Sequence, residues 1–168
     1  MNNRELSKIL KSHPVIEDKF IGVFPADLLP TDKKPGFYVA NTDPHNKPGR
    51  HWVAFYVPRK EGHYMEYWDS YGFPPAEIFS QFLDSEYKRS TKFTQHPLSA
   101  TCGQYCIYYV LNRCYGNSFE NTVSYFSENQ LTNDILVNKF VEDNFCVDLD
   151  IFDVAFINKQ FCRSFQDG

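Results

Sequence analysis

The stretch QHPLSATCGQYCIYYVLNRCYG, Gln95 to Gly116, decides how the rest of this chain is read. Ile107, Val110, Leu111 and Cys114 recur at helical spacing, and Gly116 is a natural stop, so Cys102 to Tyr115 is predicted to be a central helix. The run Ser99-Ala100-Thr101 precedes it, with Ser99 or Thr101 as N-cap. Cys102 then falls in the first turn, where unpaired amides and the macrodipole favour a thiolate. The small residues before it leave the sulfur open, and Gly103 permits close approach of a substrate backbone. A cysteine in an apolar helix is otherwise ordinary core, since free cysteine is among the most buried residue types. Cys106, one turn on among Tyr105, Ile107 and Tyr108, reads as packing, and so does Cys114.

Upstream lie two strand-like runs, HWVAFYV (51–57) and YMEYW (64–68), joined by the charged loop PRKEGH. They predict an antiparallel hairpin. With residues 58–63 as the loop, facing positions sum to about 121, which sets His51 opposite position 70 and Asp69 one step away. A histidine at a strand start and an acid at a strand end then share one sheet edge, where a carboxylate can fix an imidazole's tautomer and stabilise its charged form. The one-residue offset decides which face each side chain takes. Read singly, His51 beside Trp52 is a strand end and Asp69 before Ser70 and Gly72 a turn residue.

Elsewhere, Glu5 to Ser12 is predicted as a short helix closed by Pro14, with Leu6, Ile9 and Leu10 on its apolar face. Phe20 to Asp32 is expected to be irregular, Gly36 to Ala40 a strand, and NTDPHNKPGR a turn-rich loop. Ala76 to Tyr87 reads as a helix with Ile78, Phe79, Phe82 and Leu83 on one face. A third short strand is expected over Ser90 to Gln95. Two more helices follow, Ser118 to Phe126 and Thr132 to Phe145, the second capped by Thr132. The order of elements predicts a single α+β domain over residues 1–168, a small mixed or antiparallel sheet packed on the central helix.

The bulk numbers narrow the function classes. The chain has 168 residues, 42% apolar and 17% aromatic, with a formal net charge of −4. That balance argues against nucleic-acid binding through bulk charge. The compact basic cluster near Cys102 is KRSTK, Lys88 to Lys92, which reads as a solvated surface segment. No run reaches the length of a membrane span. The polar, helix-patterned N-terminus is unlike a signal peptide. Five cysteines without a CxxC pair speak against a disulfide scaffold and for a reducing intracellular compartment rather than secretion. Cys102-x3-Cys106 without a nearby histidine pair is a poor zinc site, so no metal is expected.

Taken together, HW at 51–52, WDSYG at 68–72, Gln95 and CGQYC at 102–106 resemble the adenovirus-type cysteine proteases, in the clan that includes the SUMO- and Ubl-specific proteases. The order His, acid, Gln, Cys matches, as does the step of seven positions from Gln95 to Cys102. VANT and a glycine-containing loop leading into HW extend the likeness over most of positions 36–116. NTDPHNKPGRHW and DSYG are especially similar to the adenain-like proteases of large DNA transposons and related viruses. The resemblance implies a papain-like-analogous fold, with Cys102 as nucleophile, His51 as general base and acid, and Asp69 orienting His51. It implies an oxyanion hole from the Gln95 side chain and the Cys102 backbone N–H. Trp52 would flank the site and shape the substrate cleft, with a core aromatic as the alternative. Gln104 is a rival donor, but its helical position should aim it away. His63 lies at the wrong end of the hairpin, and His96 has no acid beside it in the motif.

The implied function is endoproteolysis of viral or mobile-element structural (capsid or core) precursors at Gly-containing sites, by a monomer in the host nucleus or the virion. No cofactor is required by the sequence. The family's peptide activator joins a cysteine shortly before the catalytic Gln, and Asp84 to His96 contains none; DNA as an activator also lacks support in the acidic balance. The alternatives are a ubiquitin- or SUMO-type isopeptidase, which shares the catalytic set, and a non-catalytic binding module on the same fold.

Overall fold

The computed structural model describes residues 1–145. Cys146 and Cys162 lie outside them. Five strands form one mixed sheet in sequence order: β1 (Phe20–Phe24), β2 (Gly36–Asn41), β3 (Trp52–Val57), β4 (Met65–Trp68) and β5 (Tyr87–Arg89). The two outer pairings, β1–β2 and β4–β5, are parallel, and the two inner ones are antiparallel. The helices are α1 (Asn3–Ser12), α2 (Pro14–Glu17), α3 (Cys102–Cys114), α4 (Phe119–Ser124) and α5 (Gln130–Phe145). This is the expected α+β architecture with a mixed sheet. No helix among the described residues is long and apolar enough to cross a membrane.

The core divides along the pleat of the sheet. Trp52, Ala54 and Trp68 face α3, where Trp68 stacks on Tyr109 with ring centroids 5.6 Å apart. Val53, Phe55 and Tyr67 face the other way, onto Tyr38, Phe79 and Phe82. The expected apolar stripe on α3 proves too narrow: every residue from Cys102 to Leu111 is buried. The cause is position, since α3 lies against β3 on one side and meets α1, α2, α4 and α5 around the rest of its girth.

Several boundaries differ from the sequence reading. Phe20 to Phe24, expected to be irregular, is a strand, because FIGVF is an apolar run that pairs with β2 before the Pro/Asp-rich part begins at Pro25. Helix α1 starts two residues earlier than expected, fixed by a capping box: the Asn2 side chain accepts from the N–H groups of Arg4 and Glu5, and Glu5 accepts from the N–H of Asn2. Pro14 occupies the first turn of α2 as well as ending α1. The helix expected over Ala76–Tyr87 is absent. Only Glu77–Phe79 makes a 3-10 turn, Phe79 and Phe82 are buried, and Ile78 is exposed. An i, i+3 pair of phenylalanines seats this segment on the sheet without a regular helix, which frees the chain to enter β5. That strand lies at Tyr87–Arg89, before the predicted Ser90–Gln95. Helix α5 begins two residues before Thr132, with the Asn129 side chain accepting from the Thr132 N–H at 3.1 Å.

Candidate active site

The hairpin register settles the face on which His51 lies. Ala54 faces Trp68, Phe55 faces Tyr67 and Tyr56 faces Glu66, a sum of 122 and one more than expected. Continued past the last formal pair, this register puts Asp69 opposite Val53 and Tyr71 opposite His51. Alternation then gives His51 and Asp69 the same face. His51 Nε2 meets Asp69 Oδ1 at 3.0 Å.

Asp69 is buried and firmly held. Its Oδ1 also accepts from the Tyr71 N–H at 2.7 Å, and its Oδ2 accepts from the Tyr67 hydroxyl at 3.3 Å. Ser90 Oγ brackets its backbone, accepting from the Asp69 N–H at 2.9 Å and donating to the Asp69 carbonyl at 2.8 Å. With Nε2 taken by Asp69, Nδ1 is the ring nitrogen left for Cys102. Burial alone would depress the His51 pKa. The hydrogen bond to Asp69, together with electrostatic attraction from Asp69 and the neighbouring Cys102, outweighs it and raises the pKa to about 9. The imidazole is therefore protonated at neutral pH.

Cys102 opens α3 and is 8% exposed, at one end of a cleft of about 280 Å³ that His51, Trp52, Tyr71 and Gln95 also line. Thr101 is the N-cap by position, but its side chain makes no capping bond. Its Oγ1 instead donates to Asp134 at 3.1 Å, which leaves the first-turn amides of α3 without a side-chain acceptor there. Of the other described cysteines, Cys106 is buried and Cys114 half-buried, and neither lines the cleft. Burial pushes the Cys106 thiol well up, and the Cys114 thiol to about 11.

Gln95 is 1% exposed, and its amide orientation is fixed from both ends. The Ser70 hydroxyl donates to Oε1 at 2.7 Å, while Nε2 donates to the Ser99 carbonyl at 3.0 Å and to Ser99 Oγ at 3.2 Å. Asp134 of α5, fully buried, ties down the same loop. It accepts from the His96 N–H, from Thr101 Oγ1 and from the Tyr105 hydroxyl, the last at 2.9 Å. Burial dominates its environment and raises its pKa despite these donors.

Trp52 is 6% exposed, belonging to the core while its edge reaches the cleft. Gly103 is not open: a Cβ built there would meet Met1 Sδ at 3.0 Å and Trp52 Cδ1 at 3.6 Å, so the Met1 side chain covers it. Gln104 is fully buried and absent from the cleft lining. His63 is exposed in the β3–β4 turn. His96 meets Asp134 through its backbone rather than its ring. Lys88 and Lys92 pair with Glu120 and Glu128, and Arg89 donates to the Gly72 carbonyl. Reading the sequence missed Ser70, Tyr71 and Asp134. The WDSYG motif contained the first two, but nothing local marks Asp134.

No protein-family model matches the chain. Over an alignment 138 positions long that takes in 63% of this chain, it is 30% identical to "Putative thiol protease R355" of Acanthamoeba polyphaga mimivirus. The chain spans 44% of that protein's length, less than half. Among solved structures, the crystal structure of the ASFV pS273R protease matches with a TM-score of 0.56 at 20% identity, over 86% of this chain and 66% of that one. Its Se-Met form matches with a TM-score of 0.50 at 24% identity, over 67% of this chain and 46% of that one. The chain is thus similar in sequence to a viral protein named as a putative thiol protease, and it shares the fold of the ASFV pS273R protease.

Proposed function

We propose that the chain is a cysteine endopeptidase that cleaves viral or mobile-element structural precursors at Gly-containing sites, in the infected cell or the virion. The observation that carries this reading is the shared cleft: a cysteine in the first turn of a buried helix beside an imidazole that a buried carboxylate keeps charged. In this role Cys102 attacks the scissile carbonyl and His51, through Nδ1, protonates the leaving amine. His51 then takes a proton from the water that hydrolyses the thioester. Asp69 holds the ring and its charge. The Cys102 N–H and Gln95 Nε2 receive the oxyanion, with Gln95 releasing its longer contact to Ser99 Oγ to do so. Gly on the acyl side suits a cleft of this size bordered by Trp52 and α3. Substrate approaching Gly103 must move the Met1 side chain aside. Asp84 to His96 contains no cysteine, so the sequence does not support a disulfide-linked activator joined there.

The test is iodoacetamide labelling read separately for each cysteine by mass spectrometry. At pH 7 Cys102 should label first, ahead of Cys106 and Cys114, and should slow in His51→Ala. Equal, slow labelling of all three would remove the basis of the proposal. If the wild type labels as expected, Gly-containing peptides are the substrates to screen.

Two further outcomes follow from the same reading. Gln95→Ala removes one oxyanion donor and should lower kcat by about 10²–10³ with little change in KM. A loss below about threefold would assign the hole to backbone donors alone. The pH profile of kcat/KM should fall on the alkaline side with an apparent pKa of about 9, because that is where His51 loses the proton it must donate. A limb near 6.5, the ordinary histidine value, would mean that Asp69 and Cys102 do not hold the imidazolium.

A further inference from the structure

His51 is the inner end of a stack of aromatic rings that runs outward from the cleft. Its ring lies 4.8 Å from Tyr71, centroid to centroid, and Tyr71 stacks on Phe93 at 5.4 Å. Phe73 joins the cluster, 5.9 Å from Tyr71 and 6.4 Å from Phe93. Tyr71 lines the cleft with Cys102, whereas Phe73 and Phe93 are 57% and 37% exposed. Isolated exposed apolar residues are common, but contiguous aromatic rings beside a cleft are not.

The stack is built rigidly. Tyr71 and Phe73 sit on the turn after β4, and Phe93 on the segment after β5. Gly72 has φ +66°, and a Cβ there would lie 2.6 Å from the Thr91 carbonyl carbon and 2.9 Å from that of Lys92. Only glycine lets the two segments press together this closely. The Gly72 N–H donates to the Asp69 carbonyl at 2.9 Å, and Arg89 donates to the Gly72 carbonyl at 3.3 Å. The rings are therefore presented at little entropic cost, as a preorganised surface.

The direction of the chemistry says what this surface meets. In the protease reading, on which this inference rests, His51 gives its proton to the leaving amine. The nitrogen of the residue after the scissile bond must then lie on the imidazole side of Cys102, and the segment it begins runs out past His51. Tyr71 is the ring packed against that imidazole, with Phe93 and Phe73 next. We infer that Tyr71, Phe73 and Phe93 form the subsite for the leaving segment and select an apolar, preferentially aromatic, side chain within its first two residues. An aromatic pair of this kind discriminates by roughly 2- to 12-fold.

The experiment digests a peptide pool randomised on both sides of a Gly-containing site and sequences the new N-termini. With the wild type, Phe, Tyr, Leu and Met should be enriched over Gly and Asp in the first two positions. Phe73→Ser/Phe93→Ser should lose that enrichment while keeping the acyl-side preference and an iodoacetamide rate at Cys102 close to that of the wild type. Absence of enrichment in the wild type, or enrichment that survives the double substitution, overturns the inference. Failure of the protease reading looks different: no cleavage, with unselective cysteine labelling. In that event a Cys102→Ser chain titrated by NMR with capped peptides starting in Phe or Gly decides the matter. Selective perturbation of Tyr71 and Phe93 by the Phe peptide upholds the subsite, and equal response to both peptides overturns it.

Discussion

Asp69→Ala should lower kcat/KM for peptide hydrolysis by about 10⁴, the scale seen when the acid of a hydrolytic triad is removed. The expectation rests on three donors that converge on the carboxylate, His51 Nε2, the Tyr71 N–H and the Tyr67 hydroxyl. Without it the imidazole loses both its orientation and the charge that holds its pKa near 9. Asp69→Asn is the informative companion. Oδ1 serves both His51 and Tyr71, so the asparagine oxygen should take that place and turn its NH₂ toward Tyr67, whose hydroxyl can accept. The His51 tautomer then survives and only the charge is lost. The asparagine variant should accordingly retain more activity than the alanine one, with its alkaline limb moved down from about 9 toward 6.5. Equal losses in the two variants, with no movement of the limb, would show that Asp69 acts by some route other than orienting and charging His51.

The largest stability effect should come from Arg113→Met. Arg113 meets Glu66 through two bonds, Nη2 to Oε1 at 2.7 Å and Nε to Oε2 at 2.8 Å, and the Tyr109 hydroxyl donates to the same carboxylate at 2.6 Å. Burial disfavours the charged guanidinium, yet its bonds to Glu66 and the charge of Glu66 raise its pKa overall. Glu66 is 5% exposed. Removing the arginine strands a carboxylate in the core between β4 and α3, which costs about 3–5 kcal/mol. At this chain length that is a fall in Tm of roughly 6–20 °C. Urea unfolding should show a lower midpoint at unchanged slope, and Glu66→Leu/Arg113→Met should recover most of the loss. A single-variant loss below about 1 kcal/mol would place this pair with the exposed ones, such as Lys139–Asp143.

How far the sequence could be read depended on the range of the interactions involved. The hairpin and α3 were legible because their evidence is local: aromatic and β-branched runs, a turn, a helical period. The same evidence brought His51 and Asp69 to one edge, although their common face needed a register known to one residue. FIGVF is masked in the sequence because its neighbours Pro25, Asp27 and Pro30 dominate the composition of that stretch. Ala76 to Tyr87 misled because Phe79 and Phe82 fit a helical stripe as well as they fit two anchors on a sheet. The partners of Gln95 were out of reach. Ser70 lies 25 positions away, and the Asp134 that ties down the Gln95 loop lies 33 positions beyond Thr101. Burial of such polar groups is decided by tertiary packing, which no local pattern records.

The grip of Asp134 on the loop ahead of Cys102 has a consequence for synthesis. A ribosome delivers His51, Asp69, Gln95 and Cys102 before it delivers α5. Until that helix docks, the His96 N–H, Thr101 Oγ1 and the Tyr105 hydroxyl lack their common acceptor, and the Gln95 loop is without its tie to α5 although Ser70 and Ser99 still hold the Gln95 amide. In the protease reading, the growing polypeptide thus carries the nucleophile and its partners before the loop that leads into α3 is fully tied down. On that reading, docking of the last described helix is the final step in assembling the site.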